Sequence, residues 1–326
     1  MQGFVGPETY SFDHRAIVRA DGGVLIRTLM AERKAWSQQQ KIRIATERWL
    51  RELDPSSSYV LQVGANEHTK PKGVDFVDPV PLAIDLGWRA GLVEPVPYLV
   101  SKLRTHYQNA VQNRVQIVQG AVCRSCQQQD AKIWSVELDS NPATLGSNHS
   151  DPRCAQVRGA EFVTQIASLS RKQVLASDRN LAWGRHRCNL CSQLVGRPLP
   201  ADCLRGLVRD HLVAHRVSCL CLESMVPRLL TEASRHAISL LMIDTEGHDL
   251  NVLQQYPFAR VPTERVIYET LHLQDHEIVI AAKHMRSHGF VSLMAPLSRS
   301  RFSVWHRNHS VYRSTIPGPG GGGNSK

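Results

Sequence analysis

The sequence predicts an α/β protein with a doubly wound, mostly parallel sheet, and three stretches predict it. The first is Leu240-Leu241-Met242-Ile243-Asp244-Thr245-Glu246-Gly247-His248-Asp249, continued by Leu250, Val252 and Leu253. An apolar run that ends in acids and a glycine before helical periodicity begins describes a buried parallel strand delivering carboxylates to the rim of a sheet. The second is the region from 58 to about 123, where short apolar runs alternate with polar helical stretches in the rhythm of βαβ units. The third is Val63-Gly64-Ala65-Asn66, a tight turn straight after the first of those runs. A small residue there lets a ligand approach the backbone, and a following helix would present free N–H groups.

Taken in order, residues 1 to about 20 carry no periodicity and are expected to be a loose arm. From about Gly23 to Leu53, Ile26, Leu29, Trp36, Ile42, Ile44, Trp49 and Leu50 are interleaved with charged residues. That spacing predicts one or two amphipathic helices, closed by Asp54-Pro55-Ser56. Strands are expected at 59–63, 90–93 and 115–118, with a helix from about Pro97 to Tyr107. The rhythm then breaks, and an insertion is expected from about 124 to 215, with one strand-like run at 132–138. Order returns with strands at 216–222, 240–243, 265–268, 291–293 and 302–305. The expected layout is therefore an arm and helical segment over 1–57, a catalytic domain over 58–315 and a flexible Gly-rich tail over 316–326.

Composition narrows the function classes. Hydrophobic residues form 42% of 326, enough for a core, whereas the 6% aromatic share argues against a protein that stacks nucleic-acid bases. The net charge of +10 is spread through Arg-containing segments without a dense basic block. It implies tolerance of anionic ligands, so no specific nucleic-acid partner is expected. No run is long enough to cross a bilayer, and Met1 to Arg19 lacks the order of a secretory signal, so a soluble cytoplasmic or other intracellular setting without a membrane partner is expected. Eight cysteines are then expected to be reduced thiols. Cys123-x-x-Cys126 and Cys188-x-x-Cys191 could instead share a structural zinc ion, with His186 or Cys203 as a substitute ligand, although the pairs lie far apart for a compact zinc module.

Glu94 strengthens the ligand reading. It ends the second strand in Gly91-Leu92-Val93-Glu94-Pro95, where an acid can accept hydrogen bonds from both hydroxyls of a ribose. The glycines do not form the three-glycine dinucleotide fingerprint, so an adenosyl group without phosphates fits better than a dinucleotide. Asp244 and Glu246, with His248, offer a general base or a metal clamp. Asp244, Glu246 and Glu269 could hold Mg²⁺ or Ca²⁺, ions that favour oxygen ligands. The same acids would equally suit a helix N-terminus, where carboxylates stabilise free N–H groups, and Glu269 could be a solvated rim residue.

Leu61-Gln62-Val63-Gly64-Ala65-Asn66, Val93-Glu94-Pro95-Val96-Pro97, the Asp244-to-Asp249 element with Val252-Leu253, and Ile267-Tyr268-Glu269 together resemble the ordered motifs of the FkbM family of S-adenosylmethionine-dependent methyltransferases. The resemblance runs from about 58 to 306, excepting the insertion. It implies a class I methyltransferase (Rossmann-like) fold with seven strands, and transfer of a methyl group to a hydroxyl oxygen of a sugar or other small molecule. It also implies that Gly64, Ala65 and Asn66 line the methionine and ribose, that Glu94 with Pro95 holds the ribose, and that Gly120 and Ala121 border the adenine. Asp244, Glu246, His248 and Glu269 would face the transferring methyl. Gln62 stands where this family usually carries an acid against the methionine ammonium. The alternative is a non-catalytic or RNA-associated protein that keeps the fold. The acceptor and the oligomeric state are not legible.

Overall fold

A computed structural model describes residues 41, 43–66, 68, 78–108, 114–137, 167–176, 211–293 and 302–308. The arm, the tail, Cys188 and Cys191 lie outside them. A helix over 43–52 (α1) leads into β1 (Tyr59–Val63), α2 (Pro79–Asp85), β2 (Arg89–Glu94), α3 (Pro97–His106) and β3 (Val115–Gln119). Then come β4 (Ala121–Val122), β5 (Asp130–Val136), β6 (Ala167–Ser168), α4 (Arg171–Ala176) and β7 (Leu212–Leu220). The chain continues through α5 (Leu222–Glu232), β8 (Ile238–Ile243), α6 (Asp249–Gln255), β9 (Thr263–Glu269), α7 (Asp275–Ser287), β10 (Phe290–Ser292) and β11 (Phe302–Arg307).

The main sheet has seven strands in the order β10-β11-β9-β8-β1-β2-β3. Strands β3, β2, β1, β8 and β9 are parallel, while β11 runs antiparallel between β9 and β10. This is the doubly wound, seven-stranded α/β arrangement. The order reverses between β1 and β8, and a crevice outside the strand ends opens at such a switch point.

Both faces of the sheet are covered, which explains why its strands read as continuous apolar runs rather than alternating ones. Val60, Ala90, Leu92, Leu240, Met242 and Ile267 pack with Leu50 of α1, Val80, Ala83 and Ile84 of α2 and Leu103 of α3. On the other face Leu61, Val63, Val93, Leu241, Ile243 and Val266 meet Met225 and Leu229 of α5, Val252 and Leu253 of α6, and Ile278, Ala281 and Met285 of α7. Each large aliphatic side chain so buried contributes about 1.5–3 kcal/mol. Local signals agree with the packing. Asp78 caps α2 by accepting from the Val80 N–H at 2.8 Å, ahead of Pro79 at the first helical position. Gln274 and Glu277 form a capping box that starts α7.

The interval expected to be an insertion supplies a second sheet, in the order β4-β7-β5-β6. It begins earlier and ends later than expected, because Ala121 and Val122 pair with Cys219 and Leu220. The 132–138 run became a strand two residues earlier, at Asp130–Val136, through a long antiparallel pairing with β7.

Here the cysteine expectations are corrected. Cys123 is bonded to Cys219 and Cys126 to Cys221. All the sulfurs of Cys123 and Cys126 are used in these bonds, so neither residue is a zinc ligand and neither is a reduced thiol. The physical reason is pairing: β4 and β7 lie side by side, with Ala121 opposite Cys219 and Val122 opposite Leu220, so the chain leaving β4 runs past Cys219-Leu220-Cys221 and its two cysteines meet the two there. The bonds close loops of 96 and 95 residues. They interleave and enclose nearly the same stretch of chain, so the second restricts the unfolded chain much less than the first. Reduction should lower the free energy of unfolding by about 2–5 kcal/mol in total, read as a shift of the urea midpoint with and without reductant; an unchanged midpoint would refute a structural role for the two bonds.

Candidate active site

The site is built at the carboxyl ends of β1, β2, β8 and β9. Gly64 leaves β1 at φ +85°, and a Cβ placed on it would lie 1.9 Å from the carbonyl oxygen of Asp244. The Asp244 N–H in turn donates to Val63 O at 3.0 Å. Glycine is thus required both by the left-handed backbone and by the close approach of the two strand ends. Any side chain at this position would part β1 from β8 at the switch point.

Glu94 is buried, 3% exposed, and ties the expected cofactor residues together. Its Oε2 accepts from the Asn66 N–H at 2.8 Å and its Oε1 from the Val96 N–H at 2.9 Å, while its carbonyl oxygen accepts from the Gly120 N–H at 3.1 Å. A carboxylate has room for about four hydrogen bonds, so each oxygen keeps acceptor capacity after these contacts. Burial raises its pKa to about 7 against the pull of the two N–H groups. Pro95 is half-buried beside it. Ala65 instead has its side chain in the core and its N–H on Val93 O, so it supports the turn from within. Gly120 passes tightly under Leu220, and Ala121 is buried in the second sheet.

Gln62 has a different occupation from the one expected. Its Nε2 donates to Asp78 Oδ2 at 2.7 Å and its Oε1 faces His68 Nε2, whose Nδ1 meets the Tyr107 hydroxyl at 2.7 Å. Burial, with repulsion from His106, lowers the His68 pKa to about 3, so the imidazole is neutral and the chain of donors closes. It runs from the Tyr107 O–H to His68, from His68 N–H to Gln62, and from the Gln62 amide to Asp78. A carboxylate thus stands beside Gln62 in the form of Asp78, its pKa raised to about 6 by burial.

On the reaction side, Asp249 shapes the loop after β8. Its Oδ1 accepts from the Thr245 N–H and its Oδ2 from the Gly247 N–H, both at 3.2 Å, and α6 begins there. Within that loop Glu246 sits at φ +51°, a conformation rare for a residue with a Cβ. Its carbonyl oxygen accepts from the Ser168 hydroxyl at the edge of the second sheet. Its Oε2 lies 2.7 Å from His272 Nε2, and Glu269 Oε2 lies 3.8 Å from the same nitrogen. Burial alone would lower the His272 pKa, but the hydrogen bond and charge of Glu246, reinforced by Asp249 and Asp244, raise it.

Asp244, Glu246 and Glu269 are thus brought to one rim. His248 is not grouped with the Glu246–His272 pair: it caps α6 by backbone, its Nδ1 lies 3.3 Å from Asn251 Nδ2, and its pKa falls to about 4 through burial and the nearby Arg124. It is buried beside Val122 at the end of β4. Three participants were missed. Asp78 carries the Asp-Pro signature of a helix start, His272 follows the strand-end acid Glu269 by three positions, and His68 had no signal at all.

No family model matches the chain, and a search of curated proteins finds none that does. Solved structures with some likeness include the precorrin-6y C5,15-methyltransferase of Geobacter metallireducens, at 9% identity and TM-score 0.33 over 82% of this chain and 85% of that one. The METTL16 MTase domain has 8% identity and TM-score 0.33 over 80% and 64%. An O-methyltransferase from Bacillus cereus in complex with SAH has 7% identity and TM-score 0.31 over 84% and 91%.

The Glu94 carboxyl holds its proton to higher pH in the folded chain than the ordinary value of 4.5. The folded state therefore binds more protons than the unfolded one between about 4.5 and about 7, and this group's contribution to stability falls as pH rises through that window. Glu94→Gln should flatten the decline, measured by urea unfolding across that range; an identical slope in the variant would contradict the assignment.

Proposed function

We propose that the protein is an S-adenosylmethionine-dependent methyltransferase acting on a hydroxyl oxygen of a small molecule or sugar. The observation that carries this reading is Glu94, a buried carboxylate at the end of β2, braced by Asn66 and Val96 and lying across the turn from the β1–β8 switch point. The acceptor capacity left on its two oxygens fits the hydroxyls of a ribose diol. Asp78, held on Gln62, offers the negative charge that a methionine ammonium needs. When bound, the cofactor would supply an electrophilic methyl group on a sulfonium.

The residues of the chain would do the rest. Transfer breaks the sulfur–methyl bond and forms an oxygen–methyl bond, leaving a neutral thioether, and the hydroxyl proton must go to a base. Asp244 and Glu246 stand at the rim for that purpose, and the Glu246–His272 pair gives a proton somewhere to reside. The second sheet reaches this rim through Ser168, which makes it the natural source of acceptor contacts.

Titration calorimetry with S-adenosylmethionine and S-adenosylhomocysteine tests the reading. Both should bind, and Glu94→Ala should weaken binding by about a hundredfold through loss of charge-assisted hydrogen bonds. Asp244→Ala should leave cofactor affinity nearly intact and abolish transfer of labelled methyl groups into a small-molecule extract. Failure of both compounds to bind would favour a non-catalytic protein that keeps the fold.

The disulfides also bear on the setting of the chain. We infer a setting oxidising enough to maintain them, such as a secretory lumen, in place of the reducing cytosol. Differential thiol labelling of protein taken from its own cells should find Cys123, Cys126, Cys219 and Cys221 protected until reductant is added; free thiols there would exclude this setting.

A further inference from the structure

We propose that Glu246, Glu269 and His272 form a divalent-metal site at the carboxyl ends of β8 and β9, suited to a first-row transition cation such as Mn²⁺ rather than to Mg²⁺ or Ca²⁺. One ligand atom from each of the three residues lies within 4.8 Å of the others. The three come from separate segments: Glu246 from the loop after β8, Glu269 from the last position of β9, and His272 from the turn before α7. A cation bound at about 2.1 Å spaces neighbouring ligand atoms by about 3 Å, so modest side-chain rotation closes the set around an ion.

The ligands are held as a metal site requires. Glu269 is fully buried on a central parallel strand, and the His272 side chain is 7% exposed. Glu246 is fixed through its backbone, by Asp249 on the flanking N–H groups and by Ser168 on its carbonyl. Its side chain is 18% exposed, so water and an acceptor can reach the cluster from that side. Three protein ligands leave coordination positions open, as catalytic sites do.

Ligand chemistry selects the ion. Mg²⁺ favours oxygen ligands and retains its waters, while imidazole suits transition ions and carboxylates suit Mn²⁺ among them. The set differs from the all-oxygen trio of Asp244, Glu246 and Glu269 by exchanging Asp244 for an imidazole that the sequence alone did not bring into the site. Resting on the methyl-transfer reading, an ion here would bind the acceptor hydroxyl at an open position and make it more acidic, and with the ion bound Asp244, outside the ligand set, would take the proton in place of Glu246 and His272. Binding of the ion itself does not depend on that reading.

The test uses the full chain with its disulfides intact, stripped with chelator and titrated with Mn²⁺ in the absence of cofactor. Electron paramagnetic resonance should show one Mn²⁺ bound per chain, with a nitrogen hyperfine coupling from the imidazole, and the melting temperature should rise with Mn²⁺ concentration. His272→Gln should remove the nitrogen coupling, and Glu246→Gln should weaken binding roughly tenfold or more. Should a variant fail to fold, the presence or absence of nitrogen coupling in the unaltered protein decides alone. Mn²⁺ bound without nitrogen coupling, or not bound at all, overturns the site. Separate cofactor titrations keep the two readings distinguishable: loss of one leaves the other standing.

Discussion

The contact of Gly64 with the Asp244 carbonyl is the constraint on which the rest of the site depends. Two strands that diverge in chain order at the switch point are held side by side at their carboxyl ends, and one missing methyl group makes this possible. From that junction the chain turns one way into Ala65 and Asn66, whose N–H groups reach Val93 and Glu94, and the other way into the loop of Thr245 to His248. A wider junction would displace the cofactor side and the reaction side together, because both hang from the same pair of strand ends.

Buried polar groups are costly unless they are satisfied, and this molecule answers the cost with closed networks. Tyr107, His68, Gln62 and Asp78 form one, in which a neutral imidazole is the middle link and the final member is a partly exposed carboxylate. Asp249 and its loop form another, in which one carboxylate takes two N–H groups and holds Glu246 in a left-handed conformation. These networks determine where Asp78 and Glu246 can stand.

The second sheet ties the two halves of the site from outside. Its β4 strand continues the chain from Gly120, beside Glu94, and the disulfides lock that segment to the end of β7 and the start of α5. The Cys123 carbonyl accepts from the Gln255 side chain on α6, while Ser168 meets Glu246. A segment that resembled an insertion when read along the chain is therefore a brace spanning the rim at Glu94 and the rim at Glu246.

The main-sheet strands were legible in the sequence because strands buried on both faces must be apolar throughout, and helix starts such as Asp78-Pro79 carry their own chemistry. Gly64, Glu94, Asp244, Glu246 and Glu269 were legible because each sits at a strand end, where polarity interrupts an apolar run. What depends on pairing between distant segments was not. Disulfide partners follow from β4 lying beside β7, which no spacing within Cys123-x-x-Cys126 encodes. The roles of Gln62, His248 and His272 follow from which side chains face each other across strands and loops, and only the folded packing decides that. The sequence by itself determined the layers and the rim; tertiary structure decided which acids share a partner, because partnership is set by distance in space and not along the chain.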